Sequence, residues 1–244
     1  MQKDEYKKMH ELENYHWYFK FRKKLIGSFI DKICKNRKNL EILDAGCGTC
    51  MFTPILQKYG NVMGIEIYQD AIDICHKKGF NNVKKMSVND MKFKDESFDF
   101  IACFDLLYHK NVKDDDLALK NLYKVCKKDG KLLLTDSASK ILFGRHDLAL
   151  GGKKRYNKNE LKSKIEKAGF KVERISYYNF FLFPFVLIKR KLNIIFNKTP
   201  KSDIKKENFI INYTLEKITS FEAKLLNITN FPIGVSLVCI ATKK

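Results

Sequence analysis

The sequence has few features that would divide the chain into several domains or direct its export. Only four prolines interrupt its 244 residues, no internal repeat appears, and residues 1–20 are charged without a continuous apolar stretch. Secretory signals and transmembrane helices both require such a stretch. We therefore expect one cytoplasmic domain, because 244 residues with 45% hydrophobic content are enough for one α/β core with an insertion.

A regular cysteine framework is also missing. The seven cysteines lie mostly within apolar or helical patterns, which does not fit a disulfide scaffold. Cys47 and Cys50 have a C-x-x-C spacing with two interpretations, a redox pair at a helix start or a cofactor loop that contains cysteine. We predict no metal site, because no second Cys or His pair could complete four zinc ligands.

Positive charge is in excess, with a formal net charge of +19. Residues 1–150 hold 27 basic and 21 acidic side chains (+6), whereas residues 151–244 hold 20 and 7 (+13). A lysine-rich composition would give a solvated basic surface of this kind. An anionic partner, namely a phosphorylated substrate, a membrane surface or a nucleic acid, would make use of it.

Short apolar runs alternate with helical patterns along the chain. The predicted strands are 40–44, 62–67, 98–104, 131–136, 171–177 and 234–242, and the predicted helices are 18–34, 52–58, 70–78, 115–126 and 158–168. This alternation predicts a parallel sheet wrapped by helices, with right-handed crossovers. Some fifty residues separate the last two strands, so we expect residues 179–232 to form an insertion outside the basic sheet.

A glycine-rich turn follows the first predicted strand. Residues 44–48 read Asp-Ala-Gly-Cys-Gly, and small residues between a strand and a helix let the backbone approach a nucleotide-like ligand. The next strand ends near Glu66, where a carboxylate could accept hydrogen bonds from ribose hydroxyls. A dinucleotide enzyme would show the same two features.

Three later segments distinguish a dinucleotide enzyme from other enzymes that bind a nucleotide-like cofactor. They are Asn89-Asp90-Met91, the strand and its end at 97–109, and the helix–turn–strand pattern at 122–132. With the glycine turn, they resemble the class I S-adenosylmethionine (SAM)-dependent methyltransferases, in their small-molecule branch of bacterial type 11 or type 23. The resemblance covers nearly the whole chain, including an aromatic segment at 15–22.

This resemblance implies a Rossmann-like α/β fold. We expect a seven-stranded, mostly parallel sheet flanked by helices, with an antiparallel last strand and a helical insertion before it. The corresponding segments are an N-terminal helical cap (1–38), a cofactor-binding core (39–178), an insertion or substrate lid (179–232) and the final strand (233–244), all within one methyltransferase domain.

The resemblance also implies SAM as cofactor and S-adenosylhomocysteine as product. In the family, the acid at the position of Glu66 binds ribose, the one at Asp90 holds the adenine amino group, and the glycine loop contacts the methionine moiety. The complete set of predicted cofactor contacts is Trp17, Arg22, Asp44, Ala45, Gly46, Cys47, Gly48, Glu66, Ile67, Asp90, Met91 and Phe104. The chain departs from the family pattern at Cys50, where a third glycine is usual, and at Gly152, where the sub-branch often has histidine.

The candidate catalytic residues are His109, His146 and Tyr156. His109 follows the predicted strand 98–104, at the edge where open α/β sheets bind ligands, so it is the first candidate base; a loop-organising hydrogen bond is its alternative role. His146 follows the predicted strand 131–136, with Asp147 or Tyr156 to orient it. An alcohol acceptor needs such a base, whereas a phosphate or carboxylate oxygen does not.

Two segments are candidates for binding an acceptor. Lys154 and Arg155 follow two glycines and are predicted to hold a phosphate of a small anionic substrate; an exposed charged turn is the alternative. Residues 179–188 are apolar and precede the basic residues 189–191. This segment predicts either packing onto the core or a peripheral contact with a membrane or a lipid-linked substrate.

The sequence thus predicts methyl transfer to an oxygen, with nitrogen second, of a phosphorylated, nucleotide-linked or lipid-linked acceptor, as in the biosynthesis of polysaccharide or other cell-surface precursors. An RNA methyltransferase is an alternative supported by charge alone. Residues 104–107 lack the strand end typical of base-amine methylation, so a nucleic-acid partner is disfavoured. A non-catalytic SAM-binding protein is the other alternative, which Cys50 permits. No feature indicates an obligate protein partner.

Overall fold

The structure, a computed structural model, describes residues 3–195 and 202–244, with side chains for residues 6–192 and 202–244. Its strands are β1 Leu40–Ala45, β2 Gly60–Glu66, β3 Val83–Lys85, β4 Phe98–Phe104, β5 Cys126–Ser137, β6 Phe170–Tyr178 and β7 Ser236–Lys243. Its α-helices are α1 Lys3–Leu12, α2 Trp17–Ile33, α3 Thr53–Leu56, α4 Gln69–Lys77, α5 Asp115–Val125, α6 Arg145–Ala149, α7 Lys158–Lys167, α8 Phe183–Ile195 and α9 Phe209–Leu226.

The seven strands form one sheet in the order β3-β2-β1-β4-β5-β7-β6. The first five pair in parallel, and β7 lies antiparallel between β5 and β6. The predicted fold class is therefore confirmed, including the antiparallel last strand. The sequence analysis did not predict β3, which has only three residues and no fully buried side chain.

Apolar side chains cover both faces of the sheet. One core contains Leu43, Ile101 and Leu134 together with residues of α5 and α7. The other contains Ile42 and Phe100 together with residues of α2 and α9. Because the central strands are buried on both faces, they read as nearly continuous apolar runs, which is why the sequence predicts them well.

The insertion consists of α8 and α9, and α9 packs against the N-terminal helices. The Asn212 side chain accepts a hydrogen bond from the Trp17 N–H at 2.8 Å and donates one to the Tyr15 carbonyl at 3.0 Å. The insertion and the N-terminal cap therefore lie together, next to the carboxyl ends of the parallel strands. None of the described helices is both long and apolar enough to cross a bilayer.

Candidate active site

A cavity of about 380 Å³ lies at the carboxyl ends of β1, β2 and β4. Its walls come from the loops after these strands, from α1 and α2, and from the insertion. This is the edge at which open α/β sheets bind their ligands. Its volume falls in the range of ordinary small-molecule sites.

The glycine turn forms one wall of the cavity. Gly46 and Gly48 have φ angles of +73° and +55°, a region that favours glycine. A Cβ atom on Gly46 would lie 2.8 Å from the Leu106 side chain, whereas a Cβ on Gly48 would have no atom within 4 Å. The backbone at Gly48 therefore faces open space, which fits a ligand that approaches the main chain closely.

Glu66 is held in place at the end of β2. One carboxylate oxygen accepts the N–H groups of Ile67 at 2.7 Å and Tyr68 at 3.1 Å, and the other accepts the Gly48 N–H at 3.1 Å. Burial raises the pKa of this carboxyl, and the three backbone donors oppose the rise. The oxygen that accepts only the Gly48 N–H keeps acceptor capacity, so the group fits a hydroxyl of a ribose.

Asp44 lies at the end of β1 with only 2% of its surface exposed. Burial raises the pKa of its carboxyl to about 7, although a 3.3 Å hydrogen bond from the Thr53 hydroxyl opposes the rise. A positive charge in the cavity would stabilise the ionised form of Asp44. The carboxyl therefore fits SAM, which carries an ammonium and a sulfonium.

Most of the predicted cofactor residues do line the cavity, namely Trp17, Arg22, Asp44, Gly46, Cys47, Gly48, Glu66, Ile67 and Phe104. Their individual contacts with SAM stay predictions. Ala45 does not line it, because its side chain packs in the core.

Asp90 and Met91, also predicted as cofactor contacts, do not line the cavity. Asp90 is exposed, and Met91 packs against the core outside the cavity. The residues that reach the cavity here are instead Met86, Ser87 and Val88, directly after β3. The Asp90 N–H then donates to the Ser87 carbonyl at 3.0 Å, and this turn takes Asp90 away from the ligand edge.

The N-terminal cap predicted at 1–38 supplies a second wall of the cavity, from α1 and the loop after it, but the sequence analysis did not single out its lining residues Tyr6, Met9 and Glu13. Tyr6 on α1 contacts Tyr68 with ring centroids 5.5 Å apart. Glu13 pairs with Lys78, just after α4, at 2.6 Å. Tyr6 and Met9 lie three residues apart on α1 and both line the cavity, a helical spacing that the sequence analysis did not use.

Three cysteines lie beside the glycine turn. Cys50 and Cys75 form a disulfide, and Cys47 lines the cavity. The C-x-x-C residues Cys47 and Cys50 are thus not each other's partners. Cys50 adopts a left-handed φ of +59°, so the residue in place of the usual third glycine keeps a glycine-like backbone. The three sulfur atoms lie within 4.8 Å of one another.

Both candidate bases have an occupied ring nitrogen. His109 Nδ1 accepts the Asn111 N–H at 3.2 Å, and His146 Nδ1 accepts the Asp203 N–H at 2.8 Å. Each neutral ring therefore carries its proton on Nε2 and is a donor there. Burial lowers the pKa of His109 to about 4 and also lowers that of His146, so both are neutral at pH 7.

Two glycines pack against the residues after β4. A Cβ on Gly151 would lie 2.5 Å from His109 Nε2, and one on Gly152 would lie 2.8 Å from the Tyr108 ring. The histidine that the sub-branch often has at the position of Gly152 would therefore collide with Tyr108. This loop closes tightly under the site and is not an open turn.

The predicted substrate residues Lys154 and Arg155 have acidic partners inside the protein. The Lys154 ammonium lies 2.5 Å from an Asp115 carboxylate oxygen and does not line the cavity. Arg155 lines it but is 3% exposed and pairs with Asp147 at 2.8 Å. Neither side chain is the exposed phosphate binder that the sequence analysis expects.

Tyr156, predicted to be catalytic, is fully buried and does not line the cavity. Its hydroxyl donates to Asp115 at 2.8 Å, and burial raises its pKa. A phenol held in this way cannot reach a ligand or act as a base, so Tyr156 supports the loop that follows β5.

A buried ion pair between Arg22 and Asp105 forms part of the cavity lining. The Arg22 guanidinium is 2.8 Å from an Asp105 oxygen and 5.2 Å from the centre of the Phe52 ring. Arg22 is only 5% exposed, and its Nε atom has no hydrogen-bond partner among the described residues. Arg22 is one of the predicted cofactor contacts, and the carboxylate that it pairs with here belongs to the protein.

The half of the cavity away from the glycine turn is lined by apolar side chains and by charged side chains that pair with one another. Its apolar lining side chains are Trp17, Tyr108, Leu150, Leu182, Val186 and Leu215. The basic groups in this half are neutralised: Arg190 lies 2.9 Å from Asp147, and Lys189 lies 2.7 Å from Asp203. This lining suits an apolar ligand better than a phosphate.

Comparison with known families agrees with the fold. Residues 43–134 match the family described as "Methyltransferase domain". At 20% identity, a SAM-dependent methyltransferase of Thermotoga maritima superimposes with a TM-score of 0.58 over 99% of this chain and 96% of its own. A second, from Mesorhizobium loti, gives a TM-score of 0.62 at 12% identity over 95% of this chain and 100% of its own.

Named relatives match part of the chain. A demethylmenaquinone methyltransferase of Lactobacillus johnsonii is 34% identical over 39% of this chain and 43% of its own length. Its counterpart in Geobacillus stearothermophilus is 27% identical over 59% and 62%. A ubiquinone/menaquinone biosynthesis C-methyltransferase of Haemophilus ducreyi is 28% identical over 59% and 68%. The chain thus spans less than two thirds of the first two relatives.

Proposed function

The chain carries a class I, SAM-dependent methyltransferase domain, and we propose that it transfers the SAM methyl group to a small, largely apolar acceptor that binds under α8. The observation that carries this proposal is the set of apolar side chains in the cavity lining beyond the glycine turn, among them Leu182 and Val186 of the insertion and Tyr108 after β4. The acceptor class therefore differs from the anionic one that the sequence predicts.

The hydrogen bonds of the two histidines restrict which kind of acceptor atom the site can methylate. Because Nδ1 of His109 and of His146 already accepts a backbone N–H, neither ring can remove a proton without losing that bond or changing tautomer. An acceptor that ionises without a protein base avoids this difficulty. A hydroxylated aromatic ring is far more acidic than an aliphatic alcohol and can lose its hydroxyl proton to solvent before it binds. Its phenolate form makes a ring carbon nucleophilic, and the ring proton that the methyl group replaces leaves to solvent afterwards.

The relatives support the same acceptor class. Three of them are named for demethylmenaquinone or for C-methylation in quinone biosynthesis. By that likeness, the proposed acceptor is a hydroxylated ring with an apolar substituent, and the methylated atom is carbon.

Transfer to oxygen of an anionic precursor is the second candidate. Arg22, Lys189 and Arg190 all line the cavity, which favours it. Their carboxylate partners Asp105, Asp147 and Asp203 would have to be displaced before an anion could bind, and this cost makes it the weaker candidate.

The protein's contribution is to position the reactants and exclude water. SAM, when bound, supplies an electrophilic methyl group. Glu66, Asp44 and the glycine turn would hold the cofactor, while α1 and α8 cover the cavity. Holding two reactants in line replaces a bimolecular encounter and supplies a large part of the rate enhancement.

An acceptor panel tests the proposal. The full chain is incubated with SAM labelled in its methyl group and with hydroxylated naphthalenes, simple phenols, sugar phosphates or a short RNA, and products are identified by mass spectrometry. We expect label on carbon of the hydroxylated rings. Label confined to sugar-phosphate oxygen or to RNA would contradict it, and SAM binding without transfer to any acceptor would favour a non-catalytic role.

A further inference from the structure

The insertion exposes apolar side chains on its outer surface. On α8, Phe185, Ile188 and Leu192 are 70%, 58% and 48% exposed. Their spacing of three and four residues places them on one helix face. On α9, the side chains with the largest exposure are Phe209 at 74% and Ile210 at 75%.

The exposed large apolar side chains of the described residues are concentrated in the two helices of the insertion. Of the fourteen large apolar side chains that are exposed among the described residues, nine belong to α8 and α9: Phe185, Ile188, Leu192, Phe209, Ile210, Ile211, Tyr213, Ile218 and Phe221. Single exposed apolar residues are ordinary, but a concentration on one part of a surface marks an interaction site. We call these nine residues the outer apolar face.

The charges around the outer apolar face have one sign. Among the described residues of α8, α9 and their connection, the exposed charged side chains that do not line the cavity are all lysines: Lys191, Lys205, Lys206, Lys217 and Lys224. The acids of the same stretch, Asp203, Glu207, Glu216 and Glu222, are buried or half-buried. An apolar face with exposed lysines and no exposed acid is complementary to an anionic lipid surface.

The same helices form the wall of the cavity. Leu182 and Val186 face inward at the start of α8, and Leu215 faces inward from α9, while Phe185 and Ile188 face outward. Helix α8 therefore lies between the cavity and the part of the outer apolar face that α8 contributes.

We propose that the outer apolar face binds the surface of an anionic lipid bilayer, peripherally and without crossing it. The cavity then opens beside the bilayer, and its acceptor is one that partitions into lipid; this second statement rests on the proposed function. The apolar side chains enter the interfacial layer, and the lysines lie at the level of the headgroups.

Vesicle sedimentation tests this proposal with the full chain. The probes are vesicles of phosphatidylcholine alone and vesicles with about one third phosphatidylglycerol, at low and high salt. The wild type should sediment with the anionic vesicles only, and less at high salt. The double variant Phe209→Asp/Ile210→Asp should reduce the bound fraction about tenfold or more, since it removes two apolar anchors and adds two negative charges.

Leu117→Asp is the matched control, because Leu117 is 42% exposed on α5, which covers the sheet face opposite to α9, and it should bind like the wild type. Equal binding to neutral vesicles, no binding at all, or full binding by the double variant would overturn the proposal. A wild-type dimer that the double variant dissociates, with no vesicle binding, would assign the face to a second copy and also overturn it. SAM affinity and turnover of a water-soluble acceptor should persist in the double variant, so failure here is distinct from failure of the proposed function.

Discussion

Burial makes Asp44 a titrating residue near neutral pH. Its folded-state pKa of about 7 lies above the ordinary 3.8, so the folded protein without ligand binds the proton more tightly than the unfolded chain. This contribution to stability is complete below about pH 4 and is lost as the pH rises through 7. The wild type without SAM should therefore lose stability between pH 5 and pH 8.

Asp44→Asn should reduce that loss, since an amide does not ionise, and at pH 8 it should raise the melting temperature by a few degrees. Thermal unfolding of both proteins without SAM at the two pH values measures this. The same substitution should weaken SAM binding, a trade of function for stability that is common at ligand sites. An unchanged difference between pH 5 and pH 8 would show that Asp44 is not the titrating group.

His109 gives a second prediction, about pH and rate. Because its pKa is about 4, turnover should show no step near pH 6.5. His109→Asn keeps an acceptor for the Asn111 N–H and should retain activity within about tenfold, less than the loss usual for a general base. A pH–rate profile of both proteins decides the matter. A step near 6.5 that the variant abolishes would restore His109 as the base.

Sequence motifs located the cofactor side of the site but not the acceptor side. Gly46 and Gly48 lie in the turn after β1, and Glu66 lies at the end of β2. Each position is set by local geometry within a few residues, so it could be predicted. Asp90 was misplaced because a turn of four residues decides which side chain reaches the cavity. Arg155 was misread because its partner, Asp147, becomes apparent only when the chain folds.

Among the elements, α8 determines the shape of the acceptor half. Val186→Trp adds a large side chain where Val186 lines the cavity, so it should lower kcat/KM for the acceptor at least tenfold and leave the Kd of SAM within about twofold. Ile188→Trp on the exposed side of the same helix is the control and should change neither. The acceptor kinetics and a SAM titration measure the two effects. Equal losses in both variants would argue against an acceptor under α8.

The elements differ in how far the sequence predicts them. Strand β4 was predicted with its observed ends, 98 and 104, because it is buried on both faces and reads as one apolar run. Strand β3 was missed, since three residues give no periodicity. Helices α8 and α9 carry apolar residues on their inner and outer sides, so no single stripe indicated which side would face the protein.

At the scale of the whole molecule, net charge was a poor guide to the acceptor. An anionic partner was one of two interpretations of the excess of +13 in residues 151–244, yet Lys154 and Arg155 pair with Asp115 and Asp147. The lysines of the insertion are exposed on the outside. Net charge reports on solubility and non-specific association and does not locate a site within the fold.

The central claim is that the cavity at the carboxyl edge of the sheet binds SAM through Glu66. Calorimetric titration of SAM into the wild type and into Glu66→Gln tests it most directly, with Lys154→Ala as a control outside the cavity. We predict one site per chain, a loss of about 1.5–3 kcal/mol, or some ten- to a hundredfold, for Glu66→Gln, and no change for Lys154→Ala. The absence of binding to the folded wild type, or equal affinity of wild type and Glu66→Gln, would contradict the account.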